Sequence, residues 1–437
     1  MNVLTIEVIT FSTLAVAAGT LVMVGLVREL APAARTRWLL SVGLGAGMLA
    51  IALKILLMVA FTAFAVPLLD ILPEPRRSVA RIPDNVIDQK LFQAQAMVSW
   101  QALPRVAPAP DDNPQTPAKI ALGKALFFEK RLSLDNSLSC ASCHELSAIK
   151  GGADGQPVST GIYQQQGDRN APTVINAAFQ RVLFWDGRAD SLEAQALGPL
   201  VNPVEMGMPS LGAVEARLKT LPGYSARFAA AFPANPKISA SNLAKAIAAY
   251  ERTLITPDSA YDRFLQGDLK ALSQQQIRGM ALFESIGCSR CHAGPNFSEA
   301  SVFGTTSVYR MFPALANEAY EQQYQFTRDK GLENDNPEAQ TGVWRIPSLR
   351  NVSRTAPYFH NGSVESLEEA VRIMAAVQLG KVSSERETDD RRVYWSGSDK
   401  VFRIAGDGAL SDNEVAEIVA FLQALDGELP EGSMVLD

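Results

Sequence analysis

The sequence predicts a mainly α-helical protein, made of two similar domains related by duplication and preceded by an N-terminal two-helix membrane hairpin. Three observations predict it. Helical periodicity recurs while strand-like alternation is scarce, one order of motifs occurs twice, and two long uncharged runs open the chain. At 437 residues the chain exceeds one ordinary domain. Its formal charge of −6 excludes the basic surface of a nucleic-acid binder and permits a cationic protein partner.

The hairpin occupies residues 1–69. No charge falls in 8–27, and Lys54 is the only charge in 38–69, so spans at about 8–27 and 38–65 each reach the ~20 residues that cross a bilayer. The first seven residues carry only Glu7, which suits a retained anchor better than a cleaved signal with its basic start. The second run follows Arg35 and Arg37 and ends in Ala63-Phe64-Ala65, so cleavage there stays open. Lys54 reads as a snorkelling side chain, and Gly43 with Gly47 has the spacing of close helix packing. Residues 70–117 form a Pro-rich linker, semi-rigid, with one short helix near 84–99.

Two copies of Cys-x-x-Cys-His follow, at Cys140, Cys143 and His144 and at Cys288, Cys291 and His292. They use all four cysteines and two of the three histidines. The pattern reads as covalent attachment of c-type haem. Two intervening residues match the thiols to the porphyrin vinyl groups, and the adjacent histidine reaches the iron. A four-cysteine zinc site or paired disulfides would leave both histidines without a role. Haem of this kind is attached outside the cytoplasm, which places the body in the periplasm and the hairpin in a bacterial inner membrane. Loop charge does not decide orientation, because Arg28, Arg35 and Arg37 are matched by Arg76, Arg77 and Arg81.

Around the motifs lies a longer repeat. Gly123-Lys124-Ala125-Leu126-Phe127 matches Gly279-Met280-Ala281-Leu282-Phe283, and Pro172-Thr173-Val174-Ile175-Asn176 matches Pro347-Ser348-Leu349-Arg350-Asn351. Phe184-Trp185-Asp186-Gly187 matches Phe359-His360-Asn361-Gly362. Two cytochrome c-like haem domains result, at 118–265 and 266–437. Asp190 with Glu193, Ser366 with Glu369, and Ser411 with Glu414 have capping-box spacing; the last opens a core helix over 411–425.

Over about 115–428 the sequence resembles the bacterial dihaem cytochrome c peroxidases, a family related to the dihaem methylamine-dehydrogenase maturation enzymes. The residues that carry the resemblance are Leu132-Ser133 ahead of the first motif, Arg169-Asn170-Ala171-Pro172, Phe184-Trp185-Asp186-Gly187-Arg188, Val204-Glu205-Met206, Pro357-Tyr358-Phe359-His360, and Glu369-Ala370-Val371 leading to Met374. The resemblance implies that the first haem reacts with hydrogen peroxide while the second, ligated by His292 and Met374, accepts electrons from a small cytochrome c or another respiratory donor. A thioether ligand favours ferrous iron and suits that second role; on the residues alone, Met374 on an apolar helix reads as core packing.

The same resemblance puts Glu205 and Gln195 on the open face of the first haem, the carboxylate to relay a proton and the amide to orient peroxide. A solvated loop position is the plainer reading of Glu205. The family match also makes Trp185 an electron conduit between the haems, against ordinary core packing, and makes Asn170 with the carbonyls of Thr355 and Pro357 a calcium site. A homodimer is a further expectation.

The sequence departs from the family where a loop histidine would cap the first iron: Ile162 stands there, in Ser159-Thr160-Gly161-Ile162-Tyr163. An open first haem follows, unless Tyr163 supplies a phenolate. The polar stretch 381–408 reads as a docking loop or a solvated insertion. The function expected is a membrane-anchored peroxidase; the alternatives are a dihaem protein-side-chain oxidase, which would have tyrosine in place of Met374, and a dihaem electron carrier.

Overall fold

The computed structural model describes residues 101–430 apart from 306, 313–317, 335, 337, 340, 380–392, 395–400 and 403–409. The chain divides into two compact units, Met1–Pro75 and Arg76–Asp437. The first, with the spans expected at 8–27 and 38–65, lies outside the described residues, as do the helix expected near 84–99 and nearly all of 381–408. Among the described residues no helix is long and apolar enough to cross a membrane.

The described part is mainly helical with long loops. Helices α1 (Pro117–Phe127), α2 (Cys140–Cys143), α3 (Leu192–Val201), α4 (Leu211–Thr220), α5 (Tyr224–Ala231) and α6 (Ala240–Glu251) build the first half. Helices α7 (Ala260–Leu265), α8 (Gln274–Ile286), α9 (Glu318–Tyr324), α10 (Leu367–Leu379) and α11 (Asp412–Gln423) build the second. Strand β1 (Tyr309–Met311) pairs antiparallel with β2 (Val343–Arg345), Tyr309 opposite Arg345.

Hydroxyl caps start these helices. Thr116 Oγ1 accepts from Lys119 N at 3.2 Å ahead of Pro117, whose missing N–H costs nothing in the first turn. Ser411 and Glu414 form the expected reciprocal box, and Ser366 Oγ accepts from Glu369 N at 3.1 Å. The box expected from Asp190 and Glu193 is not formed. Ser191 caps α3 instead, and Glu193 turns to the Arg252 guanidinium at 2.8 and 3.0 Å, a partner that a local pattern cannot reveal.

Each half is built on one close helix crossing. A Cβ added at Gly123 of α1 would stand 1.8 Å from the Ala246 carbonyl oxygen of α6, and one at Gly279 of α8 would stand 1.8 Å from that of Glu417 of α11. The first glycine of each matched sequence block therefore lets two backbones touch. Apolar side chains from Leu122 to Ile247 form one core cluster, and those from Tyr261 to Leu425 form another.

The halves meet through equivalent bonds. Asn170 N donates to His360 O at 2.8 Å, and Arg345 N donates to Trp185 O at 2.9 Å; the four residues are pairwise matched in the repeat. Asn176 and Asn351, another matched pair, both place their amide nitrogens on Thr256 Oγ1, at 2.8 and 3.0 Å. The end of the Pro-rich stretch is not a free spacer. Leu103 and Ala107 are buried, and Leu103 N donates at 2.9 Å to Asp262, whose carboxylate also holds the fully buried Arg350 at 2.7 and 2.8 Å.

Candidate functional site

In both motifs one helical turn gathers the three chemical groups. The single turn α2 ends with His144 N donating to Cys140 O at 3.0 Å, and the 3-10 turn Cys288–Arg290 ends with His292 N donating to Cys288 O at 3.0 Å. Each imidazole is then oriented by a backbone carbonyl. His144 Nδ1 lies 3.3 Å from Gly152 O and His292 Nδ1 lies 3.2 Å from Phe297 O, which keeps the proton on Nδ1 and leaves the Nε2 lone pair for a metal. Burial lowers both imidazoles from their usual range, His292 to about 4, so both are neutral and ready to ligate.

The four thiols are unpaired. Burial pushes Cys140 and Cys288 up to about 12 and Cys143 and Cys291 to about 11. Among the described residues no group of three or more His, Cys, Asp or Glu converges on a metal-sized point. The disulfide and four-cysteine zinc readings of the motifs are therefore not met.

A cavity of about 1360 Å³ takes both motifs into its wall. Pockets for one small ligand run to ~300–1,000 Å³, so its size and two attachment points suit two large planar groups rather than one. Met374, one residue past the middle of α10, lines it, and His144, His292 and Met374 supply the donor set that two haem irons need. The residues present fit two c-type haems.

Gln195, Glu205 and Trp185 line the same cavity. Glu205 is no solvated loop residue. Burial raises its carboxyl above the usual range against the opposing pull of Asn202 and Arg188, and Asn202 Nδ2 donates to Oε1 at 2.7 Å. The loop from Ser159 pins its backbone: Ile162 N donates to Glu205 O at 2.9 Å, and a Cβ at Gly161 would stand 1.8 Å from Val204 O. Ile162 itself is buried and packs over Gly207 rather than into the cavity. Tyr163 is 65% exposed and lies off the cavity wall, which removes it as the phenolate ligand considered from the sequence. His360, the last histidine, is buried with Nε2 3.0 Å from Phe326 O.

Trp185 lines the cavity that both motifs share. Its Nε1 donates to Asn170 O at 2.9 Å, and its ring meets His360 edge-on at 6.5 Å, while His360 stacks on Trp344 at 4.0 Å. Asn170, Thr355 and Pro357 all reach the cavity wall, and Asn170 Nδ2 donates to Gln156 O at 2.8 Å.

Several residues here went unread in the sequence. Arg169 holds Asp329 at 2.5 and 3.1 Å, bonds Asp186, and lies 5.1 Å over the Trp344 ring. Its repeat partner is Trp344 itself, which the match of Pro172 with Pro347 could have exposed. Glu251 is buried on the cavity wall with Oε2 unpartnered, and burial pushes its carboxyl up to about 8. A lone acid closing an apolar helix was the available signal. Asp329 falls in an inserted segment without any pattern.

Known proteins agree with this geometry. A model of the di-haem cytochrome c peroxidase family matches residues 117–270. Cytochrome c551 peroxidase of Pseudomonas aeruginosa is 39% identical over 338 residues, which cover 77% of this chain and 86% of that protein. The chain belongs to the di-haem cytochrome c peroxidase family. As a family member it is an oxidoreductase with peroxide as acceptor, and the family implies two c-type haems and a cytochrome electron donor. Methylamine utilization protein MauG of Methylorubrum extorquens is 35% identical over 74% of the chain and 83% of that protein. The crystal structure of a MauG-like protein associated with microbial copper homeostasis superposes with a TM-score of 0.64 at 31% identity, covering 76% of this chain and 98% of that one.

Proposed function

We propose that this di-haem peroxidase is anchored in the bacterial inner membrane by residues 1–69, faces the periplasm, and reduces hydrogen peroxide to water without prior reductive activation. The observation that carries the last point is the loop after the first motif: Ile162 is packed inward, Tyr163 points away, and no histidine remains to occupy the first site. Bound haem supplies an iron that takes up peroxide and stores electrons. Glu205 accepts the proton of the inner peroxide oxygen and returns it to the departing oxygen, help worth ~10²–10⁴ in rate. Gln195 orients the peroxide, and Asn202 holds Glu205 in place. His292 and Met374 would hold the second haem, which would take electrons from a small cytochrome, and Trp185 would pass them on. Calcium on Asn170 and the carbonyls of Thr355 and Pro357, and a homodimer, belong to the same proposal.

Low-temperature EPR of the fully ferric protein tests it. A high-spin signal that disappears with one equivalent of peroxide is the expected result. Two low-spin signals indifferent to peroxide would leave a capped enzyme or a plain electron carrier. The protein-oxidising alternative draws on the likeness to MauG, and Met374 weighs against it; loss of the His/Met signature of the second haem would bring it back.

A further inference from the structure

The cavity has a second aromatic exit that peroxide reduction with a donor does not use. From Trp185 the rings run to His360, on to Phe326 at 6.3 Å, then to Tyr324 at 5.5 Å and to Tyr320 at 6.3 Å. Trp344, stacked on His360, joins at the same point. Tyr324 lines the cavity yet, like Tyr320, is only half-buried, so α9 carries the chain from the interior to the surface. The segment is fastened at its C-terminal end: Asn361 Nδ2 donates to Tyr324 O at 2.8 Å, and His360 Nε2 meets Phe326 O at 3.0 Å.

Tyr324 has the group that a tyrosine needs in order to be oxidised. Its hydroxyl donates to Glu369 Oε1 at 3.0 Å. Burial and that carboxylate raise the phenol to about 12, so it is protonated at rest and must lose its proton together with its electron. Phe326 and His360 are too hard to oxidise to hold the charge; they space the tryptophans from the tyrosines.

We propose that Tyr324, with Glu369 as its proton acceptor, is a redox-active outlet through which oxidising equivalents leave the peroxide-treated enzyme when no donor is present. The inference rests on the peroxide reaction proposed above. In the step, the phenolic O–H bond breaks, the electron moves inward along the rings and the proton goes to Glu369. Two such oxidations balance one peroxide: they give two electrons, each lost proton passes from Glu369 to solvent, and solvent supplies the two protons with which hydrogen peroxide becomes two waters. Tyr320, four residues back on α9, shares the site and relays the charge to the surface.

The test uses the full-length holoprotein mixed with hydrogen peroxide without a donor, freeze-quenched for EPR and digested for mass spectrometry. The wild type should give a tyrosyl signal and oxidation of the peptide holding Tyr320 and Tyr324. Tyr324→Phe should lose the signal, Glu369→Gln should weaken it, and Tyr163→Phe, at an exposed tyrosine off the chain, should keep it. A signal unchanged in Tyr324→Phe, or one that vanishes in Tyr163→Phe, overturns the assignment. Haem absorbance separates the two readings. If it does not respond to peroxide, the peroxide reaction itself fails; if it responds and no tyrosine is oxidised, only the outlet fails.

Discussion

Glu205 shows how a single carboxyl is prepared for proton transfer. Burial raises it from its ordinary range, Asn202 fixes one oxygen, and the backbone bond from Ile162 fixes the loop. A base must be ionised to accept a proton, so activity should rise with pH through a value above the usual glutamate range and fall below it. Glu205→Gln should slow peroxide cleavage at least ~10-fold and flatten that rise, measured as kcat/KM for peroxide against pH. A wild-type profile in the variant would remove Glu205 from the chemistry. Tyr163 differs: the two residues stand on touching loops, yet Glu205 faces the cavity and Tyr163 faces solvent. Nothing in the residue pattern hints at that split; Tyr163 stands in the left-handed region, with φ of +54°.

Helix pairs decide whether the motifs can form at all. In α1 against α6 and in α8 against α11 the crossing depends on a glycine whose missing Cβ leaves room for a carbonyl. Gly123→Ala puts a methyl carbon 1.8 Å from the Ala246 oxygen, a backbone atom that cannot turn aside. The expected cost is at least the ~1–3 kcal/mol of an overpacked core, read as a lower midpoint in denaturant and weaker haem incorporation at the first motif. Unchanged stability would mean that the helices slide apart freely. The glycines, the caps at Ser366 and Ser411 and the helical character were legible because they are local or repeated. The cap at Ser191 was not, since Glu193 is claimed by Arg252, just past the end of α6. Neither was the β1–β2 pair, whose strands of three residues are too short to show a period and lie in the stretch from His292 to Pro347, 27 residues longer than its counterpart from His144 to Pro172.

Across the whole described molecule the duplication is visible as paired bonds between the halves, not only as paired sequences. The sequence made the repeat readable, but not that matched residues would meet each other, since pairing across a joint depends on how two domains are docked. Trp185 and His360 are the case in point: matched in the repeat, they lie ring against ring where the two motifs share a cavity. Thr256 is the other. Completely buried, it accepts from both Asn176 and Asn351 through Oγ1, while its own N–H donates to Asn176 Oδ1 at 2.9 Å. Thr256→Val keeps the shape and leaves two buried amide donors without that acceptor, each worth ~1–3 kcal/mol when unsatisfied. The joint serves both halves, so the variant should lower stability of the two together: thermal unfolding followed by far-UV circular dichroism and by haem absorbance should shift by the same amount and stay one transition. A variant that melts in two steps, with the second half at its original temperature, would show that the halves stand independently and that Thr256 belongs to the first alone.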